Sequence, residues 1–415
     1  MLVSLVAGAG LGIGARAVFP QRVVDILVTY VAQPLGQIFL RLLFVLVVPL
    51  LFSALVVGVA EVDLERLKQL GKRTLGYTVV VTLISVVIGL FLVNLIGPGR
   101  GLDPELIHAA KSALVPASAK APVDLSPVSI LVGLVPTNAI AAAAEGDMLG
   151  LIVFSLLFGI ALAVTKTKAT EQLRLTITGL YELSMTWIDA VISKMAPLGV
   201  GALLFVMTSR IGASVLLNVA QYVAVVALGL AIQLFVVYSI SVKVFSGRSP
   251  IEFFRASRVA IVTAFSTASS NATLPTAIKV AEEDLKLPSH VARFVLTAGS
   301  AMNQNGTALF EGVTVLFLAQ VAGVELTFEK QFLVMLVCIL AGIGTAGVPA
   351  GSLPVIAMIL GMVGVPPEGL GLIVGVDRFL DMLRTTVNVT GDLAAAVYVA
   401  KGETAVAPTE AAAPA

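Results

Sequence analysis

Long apolar runs alternate with short polar segments over the first 250 residues of the chain. Residues 2–18, 31–60, 75–96, 148–164, 185–207 and 215–242 each read as a membrane span, because about 20 apolar residues cross a hydrocarbon core. The run 31–60 is expected to be interrupted at Pro49, and the run 75–96 stops at Gly97-Pro-Gly99. The segment 63–73, with Arg66, Lys68, Lys72 and Arg73, is a basic connection. Residues 100–129, with Pro104, Pro116 and Pro122, read as an external loop. Residues 130–164 are a broken hydrophobic region in which Pro136-Thr-Asn138 and an alanine-rich piece precede the clear span. Pro197-Leu-Gly199 lies inside the run 185–207.

After Lys243 and Arg248 the pattern changes. The apolar run from Ile261 breaks at Ser266-Thr-Ala-Ser-Ser-Asn-Ala-Thr-Leu-Pro275 and resumes to Asp284. Residues 291–321 form a span broken at Asn303-Gln-Asn-Gly-Thr307. The run from Phe332 breaks at Gly344-Thr-Ala-Gly-Val-Pro-Ala-Gly-Ser-Leu-Pro354 and resumes over 355–363. Paired short hydrophobic segments with small-residue breaks predict re-entrant hairpins whose tips meet a site near the membrane midplane. The tips end alike, in Thr273-Leu-Pro275 and Ser352-Leu-Pro354, which fits an inverted repeat.

One stretch carries chemistry of a different kind. In Gly375–Asp392 the polar residues Asp377, Asp381, Arg384, Asn388 and Asp392 recur at steps of four, three, four and four. At roughly 100° per residue they share one helical stripe about 80° wide. Thr385 lies at its edge, and Leu380, Leu383 and Val387 cover other faces. A charge at membrane depth costs about 2.5–3.5 kcal/mol on insertion scales, so these groups must face a protein-lined cavity and find partners. Such a seam of both charge signs and an amide is what a charged small solute and a cation would need. A mutually neutralised structural cluster, or a surface helix with a solvated face, is the alternative.

Composition agrees. The chain has 415 residues and is 58% hydrophobic and 12% charged, with a net charge of +1 and a mean hydropathy of +1.02. Soluble proteins carry about 25% charged residues. No basic excess points to nucleic acid. The one cysteine, Cys338, leaves no internal disulfide framework or cysteine metal site, and His108 and His290 sit in polar connections. The first span lacks the basic start of a removed signal peptide. No Ser-His, Cys-His or metal-ligand constellation lies on the spans, so an enzyme is not expected. An ion channel fits less well than a carrier, because the broken helices hold a solute-sized mix of charges. Basic residues at 66–73, 166–174, 243–258, 279–293 and 401 fall on one side if there are eight spans and two oppositely re-entering hairpins, which puts both termini in the cytoplasm. Residues 402–415, rich in Ala, Pro, Glu and Thr, read as a disordered tail. The expected fold is therefore an all-α polytopic protein of eight transmembrane helices plus two re-entrant hairpins, integrated over residues 1–401.

The segments Ser269-Ser-Asn-Ala-Thr-Leu-Pro275, Asn303-Gln-Asn-Gly-Thr307, Gly347-Val-Pro349 and Asp381-Met-Leu-Arg-Thr-Thr-Val-Asn-Val-Thr-Gly-Asp392 resemble signature segments of the dicarboxylate/amino acid:cation symporter family. That family includes the excitatory amino-acid transporters, and the resemblance runs over nearly the whole chain. It implies a homotrimer in the cell (inner) membrane. Each protomer would hold a scaffold, mainly 1–96 and part of 148–242, and a transport core, mainly 251–401, that moves like an elevator. It also implies substrate contacts. Arg384 matches the arginine that grips a side-chain carboxylate, which suits a planar guanidinium. Asp381 matches the acid for the ammonium group, and Asn388 the amide for the α-carboxylate, joined by Ser269 and Ser270. Thr307 and Thr385 match further polar contacts. Having both Asp381 and Arg384 favours L-glutamate or L-aspartate over a C4-dicarboxylate, the second reading.

For the cations, sodium or protons, the resemblance assigns Asp392, Asn303 and backbone near Asn388 to one site, with oxygen ligands suited to a hard cation. It assigns Thr345 and the broken 300–304 backbone to a second. Asn305 falls at a third, where sodium-coupled members carry an acid, and Tyr77, Thr78 and Thr82 also depart from the pattern there. Glu311 aligns with a proton-carrying glutamate of the mammalian members. A carboxylate at membrane depth is strongly desolvated, as a proton carrier needs. An arginine that members carry near the serine tip or the substrate acid is replaced here by Ala268 and Met382, and Arg378 is a substitute from one turn away. No cofactor is expected.

Overall fold

The computed structural model describes residues 2–45, 47–60, 70–100, 135–145, 148–211, 214–342, 352–401 and 403. Among the described residues every regular element is helical. The expected external loop, most of the 63–73 connection, the second hairpin tip with Thr345, and nearly all of the tail lie outside the described residues.

The first span forms α1 (Leu2–Val18). The second begins earlier than its apolar run, at Gln21, and passes through a π-helical turn, Val28–Ala32, into α2 (Gln33–Phe44). α2 ends at Phe44 and the next helix begins at Val47, so Pro49 does not interrupt the run. Pro49 sits in the first turn of α3 (Val47–Ala60), where its missing N–H costs no helix bond. Then come α4 (Leu70–Ile96), α5 (Met148–Val164), α6 (Lys168–Ala190), α7 (Ala196–Ile211) and α8 (Ser214–Ala231). A π-helical turn at Val191–Met195 joins α6 to α7. Further helical turns carry α8 on to Ser246. Among the described residues two helices are long and apolar enough to cross a membrane, Leu70–Ile96 and Leu216–Ser246.

α4 is inside out relative to a soluble helix. Val80, Ile84, Val87, Phe91 and Leu95 are exposed at helical spacing, while Tyr77, Thr78, Thr82 and Ser85 are buried on the other face. An apolar exterior around a polar interior suits a lipid surround.

The second half follows the predicted breaks. α9 (Pro250–Thr267) and α10 (Ser270–Lys279) are separated by Ala268, in the left-handed region at φ 50°, and the extended Ser269. α11 (Ser289–Met302) and α12 (Asn305–Val321) are separated by Asn303 and Gln304, whose ψ values of 59° and 55° leave the helical well. α13 (Phe328–Gly342) and α14 (Ser352–Val363) flank the second tip, and α15 (Gly371–Val399) carries the polar stripe. α9, α11 and α12 all pack on α15, and α12 also lies along α4. Every residue of α12 except Gln320 is buried, so the helix is enclosed on all sides.

Candidate functional site

The predicted stripe closes inward. Asp377, Asp381, Arg384, Thr385, Asn388 and Asp392 are each at most 4% exposed. Their partners come from α15 itself and from the break before α12.

Arg384 is the electrostatic centre. Its Nε donates to Asp381 Oδ1 at 2.9 Å and its Nη1 to Asp377 Oδ1 at 3.2 Å. Its guanidinium lies over the Phe310 ring, 4.4 Å from the centroid, a cation–π contact. Two acids on the preceding turns of the same helix, three and seven residues before Arg384, share one cation and keep the buried charge compensated. Arg378, half exposed, has Nη1 4.0 Å from Asp381 Oδ2. Such a partly solvated pair contributes up to about 1 kcal/mol. Arg378→Gln should therefore change the apparent substrate affinity by about fivefold at most, as read from initial uptake rates against concentration. A larger loss would make Arg378 part of the binding centre.

Asn388 stitches the α11–α12 break to α15. Its Oδ1 accepts from the Gly306 backbone N–H at 2.7 Å, and so satisfies one of the free N–H groups at the start of α12. Its Nδ2 donates to Gln304 Oε1 at 2.5 Å and Thr307 Oγ1 at 3.0 Å. Gln304 Nε2 donates in turn to the Ser300 carbonyl at 2.9 Å, at the end of α11. The approach is close because residue 306 is glycine. A Cβ there would lie 2.7 Å from the Arg384 carbonyl oxygen. Gly306→Ala should push α12 off α15 and lower the thermal midpoint by several degrees, about 1–3 kcal/mol of overpacking, with uptake falling further. An unchanged midpoint would mean that the two helices are not tightly joined there.

Asp392 Oδ1 accepts from Asn303 Nδ2 at 2.9 Å, while Asn303 Oδ1 is buried without a hydrogen-bond partner among the described residues. The carboxylate is wedged against Gly299, where a Cβ would meet Asp392 Oδ1 at 2.5 Å. An anionic carboxylate beside an unpaired amide oxygen is a hard-oxygen donor set. Asn305 stands differently. Its Oδ1 accepts from Thr82 Oγ1 at 2.6 Å and its Nδ2 donates to the Tyr238 hydroxyl at 3.1 Å. Ser85 Oγ donates to the Asn305 carbonyl at 2.9 Å. Both ends of the amide are committed to the protein.

Glu311, one turn beyond Thr307 on α12, is wholly buried, and neither carboxyl oxygen has a hydrogen-bond partner among the described residues. Ser270 is buried, and the half-buried Ser269 accepts from the Ala272 N–H at 3.2 Å to cap α10. α10 packs against α15. Sequence reasoning missed Phe310 beneath Arg384, Tyr238 behind Asn305, and the contact of Asp377 with Arg384. Asp377 stood on the predicted stripe and could have been found from it. Tyr238 carried no signal.

A charged centre sealed inside a helical fold with an apolar exterior fits a membrane transport protein. The chain belongs to the sodium:dicarboxylate symporter family, whose model matches residues 1–402. It is 36% identical over 374 residues to the proton/sodium-glutamate symport protein of Geobacillus stearothermophilus, with 89% of this chain and 87% of that one covered. It is 34% identical over 382 residues to the proton/glutamate-aspartate symporter of Escherichia coli (strain K12), with 91% and 87% covered. The C4-dicarboxylate transport protein of Rhodospirillum rubrum is less similar, at 30% over 376 residues, with 89% and 82% covered.

Proposed function

We infer that the protein is a secondary active symporter for L-glutamate or L-aspartate, driven by protons, sodium or both. The observation that carries this reading is the Asp377–Arg384–Asp381 cluster. A substrate carboxylate that takes Arg384 must release Asp381, and a buried acid left without a cation is costly. An acidic amino acid offers the remedy in the same molecule, because its ammonium group replaces the guanidinium at Asp381. A C4-dicarboxylate brings no cation and would strand Asp381. The greater similarity to the glutamate and glutamate-aspartate carriers supports the same choice.

In this reading Arg384 binds the side-chain carboxylate, Asp381 the ammonium group, and Asn388 the α-carboxylate, with Ser269, Ser270, Thr307 and Thr385 around them. Asp392 and Asn303 take a cation, Thr345 belongs to a second cation site, and Glu311 carries a proton. Asn305, hydrogen-bonded at both ends, holds α4 and α12 together instead of taking a third cation. Transport proceeds by an elevator movement of the 251–401 core in a homotrimer, with both termini cytoplasmic.

Labelled L-aspartate and L-glutamate uptake in proteoliposomes tests this, with sodium and pH gradients imposed separately. Accumulation on an inward proton gradient alone supports Glu311 as carrier. Accumulation on sodium alone moves the coupling to Asp392 and the second hairpin. Succinate uptake without amino-acid uptake under either gradient would overturn the assignment. Chemical cross-linking in the membrane tests the trimer.

A further inference from the structure

The polar centre is not the only place where charge converges. At the opposite end of α15 three separate segments meet around a cleft of about 560 Å³. They are the turn before α9, with Ser246 and Arg248, the turn before α11, with Lys286, and the end of α15, with Lys401. Two acids, Glu282 and Glu403, also line it. Each is engaged by a cation that is not a lining residue. Arg293 Nε donates to Glu282 at 2.8 Å, and Arg73 Nη1 lies 3.8 Å from Glu403. The lining therefore carries three cations against two acids, and each acid already has an ion-pair partner outside the lining.

Two of them are fixed in place by backbone. Arg248 Nη1 donates to the Leu285 carbonyl at 2.6 Å, and Lys401 Nζ to the Phe245 carbonyl at 2.9 Å. Neither contact neutralises the charge. Lys286 makes no ion pair among the described residues, and it sits at φ 54°, in the left-handed region that glycine or asparagine would occupy without strain. A lysine held in that conformation beside two further cations is the kind of outlier that marks a functional position. α9 and α11 also begin at this end without a side-chain cap, so their positive termini add to the field. The volume is in the range of small-ligand sites.

We propose that this cleft binds a phosphate-bearing anion, presented as a lipid headgroup or as free phosphate. A phosphate group in the cleft would have Arg248, Lys286 and Lys401 on its walls and so would link the base of the α9–α11 segment to the end of α15. The expected orientation puts this end at the cytoplasmic surface, where basic pockets among membrane helices take anionic headgroups.

The test uses the purified full chain and reads the thermal midpoint, so it holds whichever solute the protein moves. In neutral detergent, inorganic phosphate is compared with chloride at matched ionic strength. In nanodiscs, phosphatidylglycerol is compared with phosphatidylcholine at constant phosphate-free buffer. A rise in the midpoint with phosphate assigns the site to a free anion, and a rise confined to phosphatidylglycerol assigns it to a headgroup. Lys286→Gln should weaken the response about tenfold in apparent affinity, the loss of one charged contact. Lys286→Gly should raise the basal midpoint, by relieving the left-handed lysine, while also losing the response. A response equal to the parent's in both variants, or none from either anion in the parent, would overturn the proposal.

Discussion

Asp381→Asn should lower the uptake of L-glutamate and L-aspartate on the order of a hundredfold or more, while succinate uptake stays within a few-fold of the parent or rises. The asparagine keeps the shape of the side chain and removes the charge that an ammonium group would meet. Truncating one partner of a buried charged contact costs about 2–5 kcal/mol. Arg384 keeps Asp377 as its counter-ion at 3.2 Å, so the fold should survive and the comparison between solutes remains meaningful. Parallel uptake assays with the three labelled solutes measure the effect. Equal losses for all three would mean that Asp381 supports the architecture and not the choice of solute. Undiminished glutamate uptake would remove it from the binding centre.

Glu311→Gln should abolish accumulation driven by a pH gradient. One proton per cycle makes a one-unit gradient worth about 1.4 kcal/mol, or tenfold in accumulation. The glutamine fits the same volume and cannot carry the proton, so that tenfold should vanish whereas exchange of internal for external substrate persists. Among the described residues none hydrogen-bonds either oxygen of Glu311, so the substitution breaks no hydrogen bond there and the thermal midpoint should move little. The decisive readout is accumulation under a proton gradient with no sodium. If the variant still concentrates substrate there, the proton travels on another group.

Much of this architecture was legible because the solvent constraint is severe. In a chain with few charges, five polar residues on one 80° stripe had to meet inside, and they do. The breaks at Ala268–Ser269 and Asn303–Gln304 were legible for a related reason. Small and amide residues stand where helix bonds are exchanged for side-chain bonds, as Gln304 and Asn388 do. Other features left no trace. π-helical turns such as Val280–Asp284 have no local composition of their own. The reach of Lys168–Ala190 was hidden because its polar face resembles a connection. Pro49 misled because proline breaks a helix interior and is tolerated in a first turn, and the sequence does not say which turn it is in. The commitment of Asn305 to Thr82 and Tyr238 depends on partners more than 60 residues away.

The grip of Asp381 on Arg384 also bears on how affinity should be measured. The two residues are three positions apart on one helix, so the carboxylate behaves as a tethered competitor at high effective concentration. Any free carboxylate meets the guanidinium only in the fraction of molecules where that intramolecular ligand has let go, and the measured dissociation constant is raised by the inverse of that fraction. Amino-acid ligands relieve the competition by occupying the tether with their own cation. Simple carboxylates do not. A series of monocarboxylates and amino acids of equal length would thus report the strength of the tether itself, separately from the contacts that the solute makes.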